Sequence, residues 1–215
     1  MAETLSSESL ASTPVLPEKL IIGLVGQICA GKSAVADAFR NHGAAVYDAD
    51  KSVHEIYARP DVIAEVRGTF GDGVIDENGA VDRKALGKIV FADEQKLQRL
   101  IREIIFPRSG IEMQKAIDEF RSSASAALVL DAPTLFEAGR DVLCDNIVYV
   151  SAPLERREAW ALKRGWAPGE LARREKMFKH DSEKRRRADA IVQNMGSLDE
   201  LDRQASRLMR LWTLQ

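Results

Sequence analysis

Residues 20–25, Leu-Ile-Ile-Gly-Leu-Val, run directly into Gly26-Gln27-Ile28-Cys29-Ala30-Gly31-Lys32-Ser33, and no other feature of the 215-residue chain restricts its fold so strongly. A nearly all-apolar run bounded by glycine has the pattern of a strand buried on both faces of a parallel sheet. After the loop, residues 32–41 set Val35, Ala36, Ala38 and Phe39 among polar side chains at helical spacing, and His42-Gly43 forms a C-terminal stop. The loop itself fits G-x-x-x-x-G-K-[ST] and lies between strand and helix, the setting that gives this motif its meaning. Its glycines let the backbone wrap an anion, so that successive N–H groups and the positive end of the helix point at a β-phosphate. Lys32 is then expected to neutralise β- and γ-oxygens, and the Ser33 hydroxyl to ligate Mg²⁺. The competing reading, a glycine-rich turn followed by a surface lysine, does not account for the strand and helix on either side. The loop points to ATP or a related triphosphate and leaves the acceptor open.

Further strand patterns cover residues 44–47, 126–130 and 146–150, with a weaker one at 190–192. Separated by helical or loop segments, they indicate an α/β fold with a mostly parallel sheet. Between residues 52 and 121 helical periodicity dominates: 82–91, then 94–105, with Pro107 expected to break the second helix before an amphipathic stretch through Phe120. This reads as a helical insertion, with turns at Phe70-Gly71-Asp72-Gly73 and Asn78-Gly79. Residues 154–187 are dense in Arg and Lys, as a mobile lid over phosphates would be. A last helix at 198–214 carries Leu201, Leu208, Leu211 and Trp212 as an apolar stripe. The organisation expected is a tail at 1–18 and one α/β domain over 19–215 with these two helical additions.

Composition narrows the class. Hydrophobic residues at 45%, charged residues at 30% and a formal net charge of -2 describe a soluble globular protein and argue against a nucleic-acid-coating surface, so any anion site must be local. Cys29 and Cys144 lack the spacing of a zinc site or a disulfide framework, which suits the cytoplasm. The first residues, rich in Ser, Thr, Ala and Glu, read as a disordered tail without the basic start and apolar core of a signal peptide. No apolar run approaches the roughly 20 residues that cross a bilayer, so no membrane partner is expected.

Two acidic motifs follow strand patterns. Asp48-Ala49-Asp50 puts carboxylates at the sheet edge where ligands of open α/β folds bind. There Asp48 is expected to orient an acceptor hydroxyl and accept its proton, and Asp50 to cap the helix starting near Ser52. Asp131, in Asp131-Ala132-Pro133-Thr134-Leu135-Phe136-Glu137, reads equally as the acidic residue that holds Mg²⁺ through water or as a turn-forming aspartate.

Taken in order, these motifs resemble the dephospho-CoA kinase family. The likeness runs from about Leu20 onward and includes Phe70-Gly71, Gly79-Ala80-Val81-Asp82-Arg83, Leu86, Val90-Phe91, Arg164, and Ala188-Asp189-Ala190-Ile191-Val192-Gln193-Asn194 before Gly196. The resemblance implies a P-loop NTPase core, three-layer α/β/α with a five-stranded parallel sheet, a helical CoA-binding insertion and a lid. It implies transfer of phosphate from ATP to the 3′-hydroxyl of dephospho-CoA, with ATP held by Gly26, Cys29, Ala30, Gly31, Lys32, Ser33, Ala34 and Asn194. By position, Asp48, Lys32 and Arg164 would be catalytic, Asp48 and Arg83 would meet the acceptor, and Ser33 and Asp131 would hold Mg²⁺. Asn194 would lie beside adenine and ribose, and Arg83 would either contact CoA or brace the insertion through a carboxylate. Several positions depart from the family's habit: Ala34 replaces a hydroxyl residue, Phe106 a histidine, Trp160 a lid arginine and Phe178 a glutamine.

Smaller signals have plainer readings. Lys184-Arg185-Arg186-Arg187 fits a solvated face or a phosphate-side field better than nucleic-acid binding. His42, His54 and His180 have no metal-site or triad spacing, and Trp166 and Trp212 read as packing residues. Cys29 stands among amide donors near Lys32, a setting that favours oxidation of a thiol. The alternatives to a dephospho-CoA kinase are another small-molecule kinase with a nucleoside or nucleotide acceptor, and a nucleotide-gated regulatory module. The long insertion argues against the first; Asp48 and Arg164 argue against the second.

Overall fold

A computed structural model describes residues 19–176 and 181–213. The expected tail, Phe178, His180 and the end of the last helix pattern at Leu214 lie outside the described residues. Five strands, β1 (Leu20–Gly26), β2 (Ala45–Asp48), β3 (Ala127–Asp131), β4 (Asn146–Ser151) and β5 (Ala190–Gln193), form one sheet in the order β2-β3-β1-β4-β5. Every pairing among them is parallel. All strands therefore finish on the same edge, with Asp48 opposite Asp131 across β2 and β3. Each strand pattern read from sequence lies within two residues of the observed bounds.

Both faces of β1 are covered. Leu20, Ile22 and Leu24 pack with Val35 and Phe39 of α1 (Lys32–Asn41) and with Leu201, Ala205 and Met209 of the C-terminal helix (Leu198–Thr213). Ile21 and Val25 face the other way, onto Met113, Ile117 and Phe120 of a long helix, Phe106–Ser122. This is the three-layer α/β/α arrangement. Phe39 is fully buried, and truncating such a side chain to Ala costs about 3–5 kcal/mol. Gly23 lies where β1 meets the Asp131–Leu135 turn: a Cβ there would stand 2.7 Å from Leu135 Cδ2 and 2.9 Å from Cys144 Sγ. In the C-terminal stripe Leu201 is buried and Leu208 and Trp212 pack against the core, whereas Leu211 is 53% exposed, one position off that face.

Between β2 and β3 the chain builds α2 (Ala49–Tyr57), α3 (Pro60–Phe70), α4 (Arg83–Val90), α5 (Glu94–Arg99) and α6 (Phe106–Ser122). Ile56, Val62, Val66, Val74, Leu86, Val90, Leu100 and Ile104 form a separate apolar cluster there. Asp82 and Asp93 cap α4 and α5 by accepting from N–H groups two and three residues on. Pro107 does not break the helix as its ring would suggest. It occupies the first turn of α6, where its missing N–H costs nothing, and the preceding Leu100–Ile105 widens into a π-helical turn that carries α5 into α6. After β4 come α7 (Leu154–Lys163), α8 (Glu170–Glu175) and α9 (Asp181–Arg187). No helix among the described residues is long and apolar enough to cross a membrane.

Candidate active site

The loop from Gly26 to Ser33 closes around a cleft of about 520 Å³. Its shape is set from three sides. Gln27 N–H donates to the Val150 carbonyl at 3.0 Å while Gln27 Oε1 accepts from Ala152 N–H at 3.1 Å. Arg157, buried on α7, donates to the Ile28 carbonyl at 3.5 Å and to the Ala152 carbonyl at 3.2 Å, and its charge is met by Glu175 of α8. Asn194, at the end of β5 and 4% exposed, donates from Nδ2 to the Ala30 carbonyl at 2.9 Å and accepts the Gly196 N–H on Oδ1 at 3.0 Å. Gly31 has φ +81°, and a Cβ there would stand 2.3 Å from Asn194 Nδ2, so only glycine fits. Asn194 thus has both ends of its amide on the protein's own backbone.

Lys32 Nζ, at the first residue of α1, lies 2.9 Å from Asp131 Oδ1 at the end of β3. Burial pushes the Asp131 carboxyl above the ordinary range, the Lys32 charge pulls it back, and Asp48 and Asp50 push it up again. Ser33 is exposed on the cleft floor, and the Ala34 N–H donates to the Gly31 carbonyl at 3.0 Å. Cys29 adopts φ +59°, a left-handed backbone outside glycine, and its side chain is buried against Ala161 and Leu171. Arg164, just past α7, reaches it with Nη1 3.8 Å from Sγ and borders the same cleft. The region expected to be a lid is thereby docked on the loop. Arg157, Arg173 and Arg174, which composition alone aims at phosphates, are paired with Glu175 and Glu170. Two flanking arginines, Arg173 first and Arg174 second, hold Glu170 down at about 2.

Of the two acidic residues at the end of β2, Asp48 and not Asp50 caps α2, a swap against expectation. Helix α2 starts at Ala49, and its N-cap is Asp48, whose Oδ1 accepts the Lys51 N–H at 2.9 Å. Asp50, expected to be the cap, instead borders the loop cleft and also a second cleft of about 790 Å³ between α2, α4 to α6 and α9. Asp48 borders neither of these two clefts, although its charge reaches Asp131. The swap follows from the helix starting at Ala49: Asp48 takes the extended backbone of an N-cap, and Asp50 falls in the first turn.

Arg83, at the start of α4, lines the second cleft, with Nη1 2.7 Å from His54 Nδ1 and its guanidinium 5.7 Å from the Tyr57 ring centre. Phe106 lines the same cleft, and its carbonyl accepts from Arg140, which also donates to Ser109 Oγ at 3.1 Å. Trp160 lies half-buried on α7. His42 pairs with Asp202 at 3.1 Å and ties α1 to the C-terminal helix. Sequence reasoning did not foresee the backbone contacts of Arg157, the place of Asp50 between the two clefts or the burial of Lys184. Lys184, read as part of a solvated basic face, is 5% exposed and bound to Glu137 at 2.7 Å. Its spacing, three residues after Asp181 and three before Arg187, puts it on the face of α9 that carries their contacts to Tyr149 and Asp141.

The chain is similar to known proteins over most of its length. The model of the dephospho-CoA kinase family matches residues 20–200. A dephospho-CoA kinase of Aquifex aeolicus is 39% identical over 188 residues, covering 87% of this chain and 94% of that protein. One of Symbiobacterium thermophilum is 38% identical over 192 residues, covering 88% and 80%. Among solved structures, TT1252 of Thermus thermophilus superposes with a TM-score of 0.75 at 31% identity, over 91% of this chain and 98% of its own. Dephospho-CoA kinase of Campylobacter jejuni shares the fold at a TM-score of 0.66 and 20% identity, over 91% and 98%. A strand-loop-helix phosphate cradle, an acidic pair at the strand ends and a match over most of the chain lead to one assignment: the chain belongs to the dephospho-CoA kinase family.

Proposed function

We propose that the chain transfers the γ-phosphate of ATP to the 3′-hydroxyl of dephospho-CoA, giving coenzyme A and ADP in the cytoplasm, with the two substrates in the two clefts that meet at Asp50. The observation that carries this reading is that Asp50 borders both clefts. ATP phosphates lie along the Gly26 to Ser33 loop, whose backbone is fixed in advance by Asn194, Gln27 and Arg157 and whose Lys32 is held by Asp131. Dephospho-CoA occupies the insertion side, 52–121, against Arg83. Asp50 orients the 3′-hydroxyl and takes its proton as the new bond to phosphorus forms. Asp48 holds the first turn of α2, and so Asp50, in register.

Lys32 changes partner during this cycle. It neutralises Asp131 in the structure and turns to the β- and γ-oxygens when nucleotide arrives. Ser33 and the carboxylates of Asp131, Asp48 and Asp50 supply only hard oxygen donors, which suit Mg²⁺; it needs few protein ligands when phosphates and water complete its shell. Ser33 and Asp131 would hold it. When bound, it supplies charge neutralisation between β- and γ-phosphate. Arg164 reaches the transferring group from the docked α7 segment, leaving its contact with Cys29.

Incubation with Mg-ATP and a panel of dephospho-CoA, nucleosides and nucleoside monophosphates tests the assignment. Phosphorylation of dephospho-CoA alone, at the 3′ position, is expected. Comparable kcat/KM on a nucleoside monophosphate would replace it with the other small-molecule kinase reading.

A further inference from the structure

Lys184 is a buried lysine that the reaction described above does not use. Its side chain is 6% exposed; Nζ donates to the Pro133 carbonyl at 2.8 Å and lies 2.7 Å from Glu137 Oε1. These partners stand on opposite sides of one wall. Pro133 borders the loop cleft, Glu137 borders the insertion cleft, and Lys184, with Asp50, borders both. Helix α9 is fastened along that wall at either end as well. Asp181 Oδ1, on the loop-cleft side, accepts the hydroxyl of the buried Tyr149 at 2.7 Å. On the insertion-cleft side Arg187 pairs with Asp141 and stacks 4.2 Å from the Phe136 ring centre.

We propose that Lys184 is a positioning residue that couples the two clefts, so that nucleotide in the first tightens binding of the acceptor in the second. The inference rests on the functional reading above. A buried ammonium must keep its oxygen partners, because the low dielectric around it makes an unmatched charge costly. Pro133 and Glu137 therefore move together with Lys184. The Pro133 side follows Asp131, and Asp131 loses the Lys32 ammonium when nucleotide draws it away. A shift there is carried through Lys184 to Glu137 and Phe136, the wall against which the acceptor lies. By linkage the effect is mutual, and acceptor tightens nucleotide by the same factor.

Calorimetric titration with dephospho-CoA, with and without Mg²⁺ and a non-hydrolysable ATP analogue, tests this. In the wild type the analogue is expected to lower the acceptor dissociation constant at least about fivefold, the lower end of usual coupling between sites. In Lys184→Met that ratio falls to near one. Glu137→Gln, which keeps the Pro133 contact and leaves the lysine in place, reduces the ratio too and decides the matter if Lys184→Met does not fold. A ratio near one in the wild type, or an unchanged ratio in variants that merely melt earlier, overturns the coupling role. Wild-type turnover of dephospho-CoA is measured alongside: turnover without coupling sinks this inference alone, and no turnover sinks the functional reading with it.

Discussion

Lys32 Nζ, at the first residue of α1, and Asp131 Oδ1, at the end of β3, stand 2.9 Å apart, so the cation we propose for the phosphates is already neutralised by a buried carboxylate. Lys32→Ala is expected to lower phosphoryl transfer by orders of magnitude, because the charge acts most strongly on the transition state. It also leaves Asp131 buried without its partner, so that a carboxyl already raised by burial rises further. A carboxyl whose folded value lies above the unfolded ~3.9 favours the fold at low pH and loses that contribution as pH climbs through the folded value. The melting temperature of Lys32→Ala should therefore fall below wild type by more at pH 7 than at pH 5. An equal deficit at both pH values would contradict the pairing.

Asp48 caps α2 and Asp50 borders both clefts, so substitutions at the two separate capping from the chemistry we propose for Asp50. Asp50→Asn is expected to lower kcat by roughly 10²–10⁴, the range for a removed acid–base group, with ATP affinity within a few-fold. Asp48→Asn keeps a good cap and should leave stability nearly unchanged, whereas Asp48→Ala should cost about 1 kcal/mol. Steady-state kinetics with chemical denaturation checks both. A collapse of kcat in Asp48→Asn, with Asp50→Asn active, would return the hydroxyl-orienting role to Asp48.

Asn194 braces the loop from below, and Asn194→Ala leaves the Ala30 carbonyl and the Gly196 N–H without it. Loss of about 1–3 kcal/mol of stability is expected, the cost of buried polar groups left unsatisfied. The KM for ATP should rise while that for the acceptor stays close to wild type. If instead stability and KM were both unmoved, the loop would be rigid without its brace.

Cys144 is pushed up to about 12, first by burial and then by the charges of Asp145 and Asp141. Its thiol should resist alkylation in the native protein at pH 8 and react on unfolding. The unfolded thiol ionises near ~8.5, so between there and about 12 the unfolded state loses its proton first and stability falls with rising pH. The alkaline decline in melting temperature should be shallower in Cys144→Ala. Equal slopes would remove Cys144 from the account.

Much of this molecule was legible in sequence because its strongest signals are local. The run before Gly26 needs both faces covered, and the Gly26 to Ser33 motif needs a strand before it and a helix after it; both were found. Asp48 and Asp50 were assigned the wrong way round in capping because a one-turn shift in helix start, invisible to composition, changes which carboxylate faces the clefts. Pro107 reads as a break unless the preceding turn widens, and that turn buries Leu100, Ile104 and Ile105 in a cluster drawn from residues far apart in sequence. The basic segment after β4 misled most. Charge density is a property of sequence, but whether Arg157 meets Glu175, or Lys184 meets Glu137, is decided by helices brought together across the sheet edge.

The stretch between β2 and β3 has a hydrophobic cluster of its own, distinct from the two that sandwich the sheet. Its ends enter and leave through adjacent, parallel strands, whose pairing does not depend on what lies between them. The segment from α2 to the π-helical turn is therefore cored apart from the strands, whereas α6 lends Met113, Ile117 and Phe120 to the sheet. Substitutions confined to the inward faces of α3, α4 and α5 should accordingly disturb that cluster and leave the covering of β1 alone, as two rooms under one roof can be refurnished separately.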